Sequence, residues 1–319
     1  MAKKVIILAS GGGHTGYAVA LAQRLKGRAD MLFIIPKGDK WTRSKVEKYG
    51  GVVEVVKARG PRDGIFKLMF KMPKAFLESL SKVRRDYEVI VSTGSNHSIP
   101  PSIIGKLKGL KLINIESCVR FTKPSKSVRM LKPFSDILAL QWDEQLKLFP
   151  QGKVYGPLFE KPKYKPYNGG YILVTGGTYG FKKLFDLMVE TGLSSVVLQT
   201  GRISPKHYRR IRPGWTIFDF DPDFAKWIAG AQLVISHLGK TIIDAALTYR
   251  KPVIIVPNPE WKLTAGIEDA KILAKKLNAI CLEELSRDKL LEAIEEALTR
   301  TPPNYDDGAK KLAEDILQL

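Results

Sequence analysis

The chain has 319 residues, 44% hydrophobic and 26% charged, with 52 Lys and Arg against 32 Asp and Glu. That length accommodates two domains with their own cores, and that balance belongs to ordinary globular proteins rather than disordered or fibrous ones. Its two cysteines, Cys118 and Cys281, lie far apart, which excludes a disulfide framework or a CxxC zinc site and fits a reducing compartment. No window holds about 18 consecutive apolar residues, so no membrane-spanning helix is predicted. The net charge of +20 calls for an anionic partner: nucleic acid, phosphorylated small molecules or an acidic membrane surface.

The opening "MAKKVIILASGGGHTG" reads as a first strand and turn rather than a signal peptide. "TGYAVALAQRLK" follows as a helix, then "DMLFIIP" as a strand, "KWTRSKVEKYG" as a helix and "GVVEVV" as a strand. Residues 57–85 hold nine Lys and Arg, with Phe66, Met69 and Phe70 interleaved among Lys67, Lys71 and Lys74. That pattern describes a basic amphipathic helix lying on an anionic bilayer; the plainer alternative is a core helix with a solvated basic face. "YEVIVSTG", "LKLINIES" and "DILALQW" are further strands, and "IPPSIIGKLKG" is a helix with proline in its first turn. A second basic run, "RFTKPSKSVRMLK", suits phosphate. RNA-reading signatures with exposed aromatics are absent, so no nucleic-acid partner is expected.

The stretch "YGPLFEKPKYKPYNGG" reads as a linker, after which the plan restarts with "YILVTGGTYGFKKLFDLMVE" as strand, glycine turn and helix. "SVVLQTG", "WTIFDF", "AQLVISHLG" and "PVIIVPN" are short strands, and the C-terminal stretch is helical at period 3.6. The prediction is therefore an α/β fold of two doubly wound, Rossmann-like domains, 1–160 and 161–319, facing a cleft as in the GT-B glycosyltransferase architecture. Architecture of this kind does not by itself assign a function.

"GGGHTG" at 11–16 satisfies G-x-G-x-x-G, yet no acid ends the second strand to bind a ribose, which argues against a nicotinamide or flavin cofactor. The turn can still cradle an anion on backbone N–H groups, with Gly12, Gly13 and Thr15 around it. His14 would then lie beside phosphate, either capping and binding or taking a proton from a hydroxyl nucleophile. "SHLGKT" lacks the first glycine of a Walker A loop, since Val234 stands there. It reads instead as a strand–turn–helix with Ser236, His237, Gly239, Lys240 and Thr241 around a second diphosphate. Asp219, Asp221 and Asp223 form D-x-D pairs that could hold a metal, but helix N-capping by Asp221 or Asp223 is the preferred reading, and no metal is expected.

Residues 1–160 resemble the acceptor-binding, membrane-recruited subunit of the eukaryotic UDP-GlcNAc transferase that makes the second dolichol-linked sugar. The matching stretches are "SGGGHTG", "STGSNHSIPPSIIGKLKG", "INIESCVRFTKPSKS" and "FSDILALQWDEQLKLFPQGKVYGPL". Residues 171–300 resemble the catalytic, donor-binding subunit of the same enzyme through "ILVTGGTYGF", "VVLQTG", "LVISHLGKTIIDAAL" and "KPVIIVPN". The chain is similar, more distantly, to the bacterial GlcNAc transferase that completes the peptidoglycan lipid precursor.

The resemblance implies an inverting transfer of GlcNAc from UDP-GlcNAc to a polyprenyl- or dolichyl-diphosphate-linked sugar, as in lipid-linked oligosaccharide synthesis for N-glycosylation. It implies His14 as the base, with Glu116 in reserve. Gly94, Ser95, Asn96, Ser117 and Arg120 fall on the acceptor side. Gly176, Gly177, Thr178, Thr200 and Gly201 join the "SHLGKT" residues on the donor side. Fixed dipoles would meet the leaving-group charge without a metal or other cofactor. The enzyme would sit peripherally at the cytoplasmic face of the membrane, held by its basic amphipathic surface. Two departures stand out: the acid that follows the donor-domain histidine by eight residues is replaced by Ala245, with Asp244 one short, and the family glutamine falls near Gly266, beside Glu268 and Asp269. They keep open a glucosyl- or galactosyltransferase of surface polysaccharide assembly, or a non-catalytic lipid-diphosphate-binding protein.

Overall fold

The computed structural model describes residues 2–57, 65–259 and 265–319, with 65–70 described by backbone alone. It divides into two units, one of residues 1–160 and 306–319, the other of residues 161–305.

The first unit runs β1 (Lys3–Leu8), α1 (Gly12–Leu25), β2 (Ala29–Pro36), α2 (Lys40–Val46), β3 (Gly51–Val55), α3 (Ile65–Lys82) and β4 (Val89–Ser92). It continues through α4 (Ile99–Leu107), β5 (Lys111–Ile115), α5 (Lys126–Leu131), β6 (Ile137–Leu140) and β7 (Lys153–Val154). All seven strands are parallel, in the order β3-β2-β1-β4-β5-β6-β7. Val5 to Leu8 and Val89 to Val91 are fully buried, as the continuous apolar runs of a sheet covered on both faces require.

The second unit runs β8 (Tyr171–Thr175), α6 (Lys182–Glu190), β9 (Val196–Gln199), α7 (Lys206–Ile211), β10 (Thr216–Phe218), α8 (Ala225–Gly230) and β11 (Ala231–His237). It closes with α9 (Lys240–Ile243), β12 (Val253–Val256), α10 (Ile267–Leu277), β13 (Ile280–Cys281) and α11 (Arg287–Thr299). Its six parallel strands are ordered β10-β9-β8-β11-β12-β13.

The sequence division assigned everything after 160 to the second domain, and here the structure differs. The last helix, α12 (Gly308–Gln318), packs on α1 of the first unit. Leu312, Ala313 and Ile316 are buried there, and Arg24 donates from Nε and Nη2 to Asp307 at 3.0 and 2.9 Å. Gly308 lies so close to Gly156 that a Cβ would come within 2.2 Å of the Gly156 carbonyl oxygen. A helix that belongs by sequence to the second half thus completes the core of the first.

Candidate functional site

Ligands of doubly wound sheets bind beyond the strand C-termini where the strand order reverses. In the first unit that point lies between β1 and β4, and both following loops are built unusually. Gly11 and Gly12 have φ of 79° and 52°, and in the other loop Gly94 has φ of 97° and Ser95, without glycine's freedom, 68°. Ser95 is held there by a 2.6 Å hydrogen bond between its hydroxyl and that of Ser10, which ties the two loops together. The Gly11 N–H donates to Thr15 Oγ1 at 2.9 Å, and Thr15 lies 2.9 Å from Thr42 Oγ1, which donates to Asp39 at 2.7 Å. Asp39 buttresses the glycine turn and caps α2 through Thr42 N.

His14 stands at the junction. Its Nδ1 lies 2.6 Å from the Thr93 carbonyl oxygen. A carbonyl can only accept, so Nδ1 carries the proton and Nε2 is left with its lone pair. The ring packs on the backbone of Gly94, where a Cβ would come within 2.9 Å of His14 Cε1. Burial and the nearby Lys57 ammonium lower the His14 pKa from its ordinary 6.5, against the raising effect of the Thr93 carbonyl. The imidazole is therefore neutral at pH 7, with its basic nitrogen presented. His97, two residues past Ser95, is fully buried, and burial followed by Lys57 pushes its pKa down to about 3.

Glu116, directly after β5, is wholly buried. It accepts from the N–H groups of Ser117 at 2.6 Å and Ser125 at 2.9 Å, and from the Ser125 hydroxyl. Its pKa is raised by burial, opposed by those hydrogen bonds and by Arg120. Its carboxylate thus closes the 117–125 loop. The same loop is fastened from outside: Gln145 Nε2 donates to the Ser117 and Arg120 carbonyls at 2.7 and 2.9 Å, and Trp142 Nε1 to the Cys118 carbonyl at 2.8 Å. Tyr17 of α1 accepts from Cys118 N at 3.0 Å and donates to its sulfur at 2.9 Å. Gln145 and Trp142, though inside a stretch that carries the resemblance, and Tyr17 were given no role from the sequence, because each acts on a loop 24 to 28 residues away or, for Tyr17, 101 residues away.

In the second unit the order reverses between β8 and β11. His237, half-buried at the end of β11, lies against Gly177 after β8: a Cβ on Gly177 would reach within 2.6 Å of His237 Cε1. Burial pushes the His237 pKa down to about 4. Each unit thus places a neutral imidazole against a glycine of the neighbouring loop, from β1 onto the β4 loop in one and from β11 onto the β8 loop in the other. From its other side the 176–180 turn is clamped by the loop after β9. Gly201, at φ 62°, could not carry a Cβ without coming 2.3 Å from the Gly177 carbonyl oxygen. Arg202 N donates to the Thr178 carbonyl at 3.0 Å, and its guanidinium stacks 4.7 Å from the Tyr179 ring centroid. Thr175 Oγ1 accepts from Gly177 N at 2.9 Å and donates to Gln199. Thr178 is exposed, while Thr200 and Ser236 are buried.

Past Gly239, Lys240 and Asp244 form an ion pair on one helix face with little exposure. The helix then widens into a π-type turn over Asp244–Thr248, a geometry that absorbs one extra residue. Asp269 is engaged elsewhere, accepting from Gly266 N at 2.9 Å. The expected N-caps by Asp221 or Asp223 are not formed: α8 begins after Phe224 with no side-chain cap. Asp223 instead holds Lys163 and Tyr164 of the preceding linker, and Asp221 holds Lys226 and Trp227 and accepts from Asp223 N at 2.8 Å, ahead of the helix. Among the described residues no group of three or more His, Cys, Asp and Glu is arranged to hold a metal ion.

Of the residues assigned to a membrane face, the side chains of Phe66, Lys67, Met69 and Phe70 lie outside the described residues, while Lys74 is exposed and Lys71 half-buried. No helix among the described residues is long and apolar enough to cross a membrane.

Two doubly wound units with glycine-rich loops at their reversal points define a glycosyltransferase of the GT-B fold. More particularly, residues 4–158 match the model of the oligosaccharide biosynthesis protein Alg14 like family, and residues 171–318 match the glycosyltransferase family 28 C-terminal domain, so one chain carries both. Relatives include a UDP-N-acetylglucosamine–N-acetylmuramyl-(pentapeptide) pyrophosphoryl-undecaprenol N-acetylglucosamine transferase of Anaeromyxobacter sp., 26% identical over 88% of this chain and 80% of that one. The protein of that name from Prochlorococcus marinus is 29% identical over 80% of this chain and 76% of its own length. Among solved structures, Acinetobacter baumannii MurG aligns over 99% of this chain and 100% of its own at TM-score 0.64 and 19% identity. The calicheamicin glycosyltransferase CalG4 aligns over 100% and 94% at TM-score 0.62 and 12% identity.

Proposed function

We propose that the chain transfers GlcNAc from UDP-GlcNAc, with inversion, to a hydroxyl of a sugar carried on a polyprenyl diphosphate. The observation that carries this reading is the His14–Thr93 hydrogen bond, which fixes the tautomer a general base needs. In the proposed step His14 Nε2 takes the acceptor hydroxyl proton as that oxygen attacks the anomeric carbon. The bond from that carbon to the diphosphate oxygen breaks, and its electron pair leaves with UDP. The 12–15 turn and Ser95 and Asn96 hold the acceptor side. The backbone amides around Gly176–Thr178 and Gly239–Thr241, with neutral His237, meet the charge growing on UDP. Arg120 stays with the acceptor, and Glu116 acts by holding the 117–125 loop. The lipid is of the polyprenyl class, dolichyl for N-glycosylation being the specific form that the Alg14-like half favours. The named activity of the bacterial relatives supports donor and diphosphate-lipid chemistry.

The membrane contact is assigned to the outer side of α3, α4 and α5, at the cytoplasmic face. α3 turns Ala75 and Ser79 inward, while Leu77 and Leu80 are exposed beside Lys74 and Lys82. α4 packs against both α3 and α5, and Leu107, Met130 and Phe134 are exposed there with Arg129 and Lys132. Apolar side chains amid cations suit an interfacial surface.

The test is UDP release from UDP-GlcNAc with a synthetic GlcNAc-diphosphate-lipid, in the presence of EDTA. Acceptor-dependent release supports the reading. Release only from UDP-glucose or UDP-galactose would favour the polysaccharide alternative that the displaced Asp244 motivates, and tight UDP-sugar binding without turnover on any acceptor would favour a binding protein.

A further inference from the structure

Residues 161–305 hold 21 Lys and Arg against 15 Asp and Glu, an excess of six, and five of those cations with no acid fall within 202–212. Almost all the net charge of the second unit is therefore gathered on one loop and α7. Arg202, Lys206 and Arg209 line a single groove with Gly201, Ser204 and Asp219, and Arg210 and His207 are exposed beside it. Many cations elsewhere in the unit sit on carboxylates, among them Lys163 on Asp223, Lys182 on Asp186, Lys226 on Asp221 and Arg300 on Glu296, and Arg250 and Lys251 donate to backbone carbonyls. Lys206, Arg209 and Arg210 have no such ion pair among the described residues; Arg209 spends only its Nε, on the Ile217 carbonyl at 2.9 Å. Ile211, 38% exposed, is the last residue of the helix.

Unpaired like charges held together cost self-repulsion in the free protein, which an anionic partner removes. The partner's form follows from the geometry. A single enclosed phosphate would want buried donors and no carboxylate, whereas these cations are exposed on long side chains, and Asp219 sits at the groove. Such an array matches many phosphates spread over a plane. We propose that the Lys206–Arg210 face is a second membrane contact, on the second unit, that docks on the phosphate groups of anionic lipid headgroups. The proposal rests on the membrane reading given above.

The experiment is co-sedimentation of the full-length chain with vesicles of phosphatidylglycerol and phosphatidylcholine, and with phosphatidylcholine alone, at low and physiological salt. Each cation near an anionic surface contributes a factor of about five, so K206Q/R209Q/R210Q lowers partition to the anionic vesicles roughly 100-fold at low salt. K206Q/R210Q, which leaves the Arg209–Ile217 hydrogen bond intact, lowers it roughly 25-fold. UDP release with a water-soluble short-chain acceptor stays unchanged in both variants, which shows that the fold and the catalytic site are intact. Unchanged partition of both variants, with the wild type bound, overturns this contact and leaves the first-unit surface standing. Failure of the wild type to bind anionic vesicles overturns both. Thermal protection by inorganic phosphate that the variants lose, with vesicle partition unchanged, makes the groove a small-anion site and also overturns the proposal.

Discussion

At the scale of single residues, the proposed chemistry turns on which nitrogen of His14 carries its proton. The Thr93 carbonyl decides this, so His14→Ala lowers turnover about 100-fold or more while UDP affinity is retained. Glu116→Gln is the paired control. Its carboxylate accepts from the loop it closes, so the amide weakens acceptor KM more than turnover, and turnover stays within about tenfold. A larger turnover loss in Glu116→Gln than in His14→Ala would exchange the two roles. The pH profile offers an independent check. Burial and Lys57 set the His14 pKa below 6.5, so the base is already deprotonated at pH 7. The rate per bound acceptor is flat from pH 7 upward through the range where the protein is stable, and falls on acidification only below 6.5. An acid limb centred above 7 would contradict a lowered pKa.

At the scale of elements, the 176–180 turn, proposed to hold the donor, is fixed by backbone packing that admits no side chain. Gly201→Ala puts a methyl group 2.3 Å from the Gly177 carbonyl oxygen, at a φ that disfavours alanine as well. The 176–180 turn must shift, and calorimetry with UDP then shows at least tenfold weaker binding while the first unit's acceptor side is untouched. α3 makes a different kind of prediction. Its inner face packs Ala75, Met72 and Phe76 into the core, and its outer face leaves Leu77 and Leu80 exposed. Leu77→Ser with Leu80→Ser therefore leaves the thermal midpoint within about 3 °C, because little buried area is lost. Vesicle partition falls about tenfold as apolar contact with the bilayer interface is lost. Unaltered partition would return this helix to a purely structural role.

At the scale of the whole molecule, the C-terminal helix is built into the first unit's core. The Arg24 side chain is nearly fully buried and its Asp307 partner is 30% exposed. Arg24→Ala removes both hydrogen bonds to Asp307, along with those to the Ala20 carbonyl and Gln23, and leaves a partly solvated carboxylate, so it destabilises by about 1–3 kcal/mol in denaturant titration. Arg28, paired in the open with Glu314, costs under about 1 kcal/mol when replaced by alanine. Equal effects at the two sites would mean that α12 is held by its apolar face alone.

Much of this molecule was legible in one dimension. Strand–helix alternation, apolar runs buried on both faces and two glycine turns are local patterns, and local patterns determine a pair of parallel α/β sheets. His14 and His237 were found because each sits on a glycine-rich turn after a strand, a signal carried by a few adjacent residues. What the chain alone left open depends on partners distant in sequence. The protonated nitrogen of His14 waits on a carbonyl 79 residues away, Glu116 is engaged by Ser125 only once its loop folds back, and Asp223 meets the linker while Asp221 meets side chains of α8. The destination of α12 is decided by a buried arginine on α1 and the close approach of Gly308 to Gly156, contacts no periodicity announces. Sequence determines which elements form because their periods are short; tertiary structure alone decides which groups are satisfied, and satisfaction is what separates a catalytic side chain from one that holds the fold together.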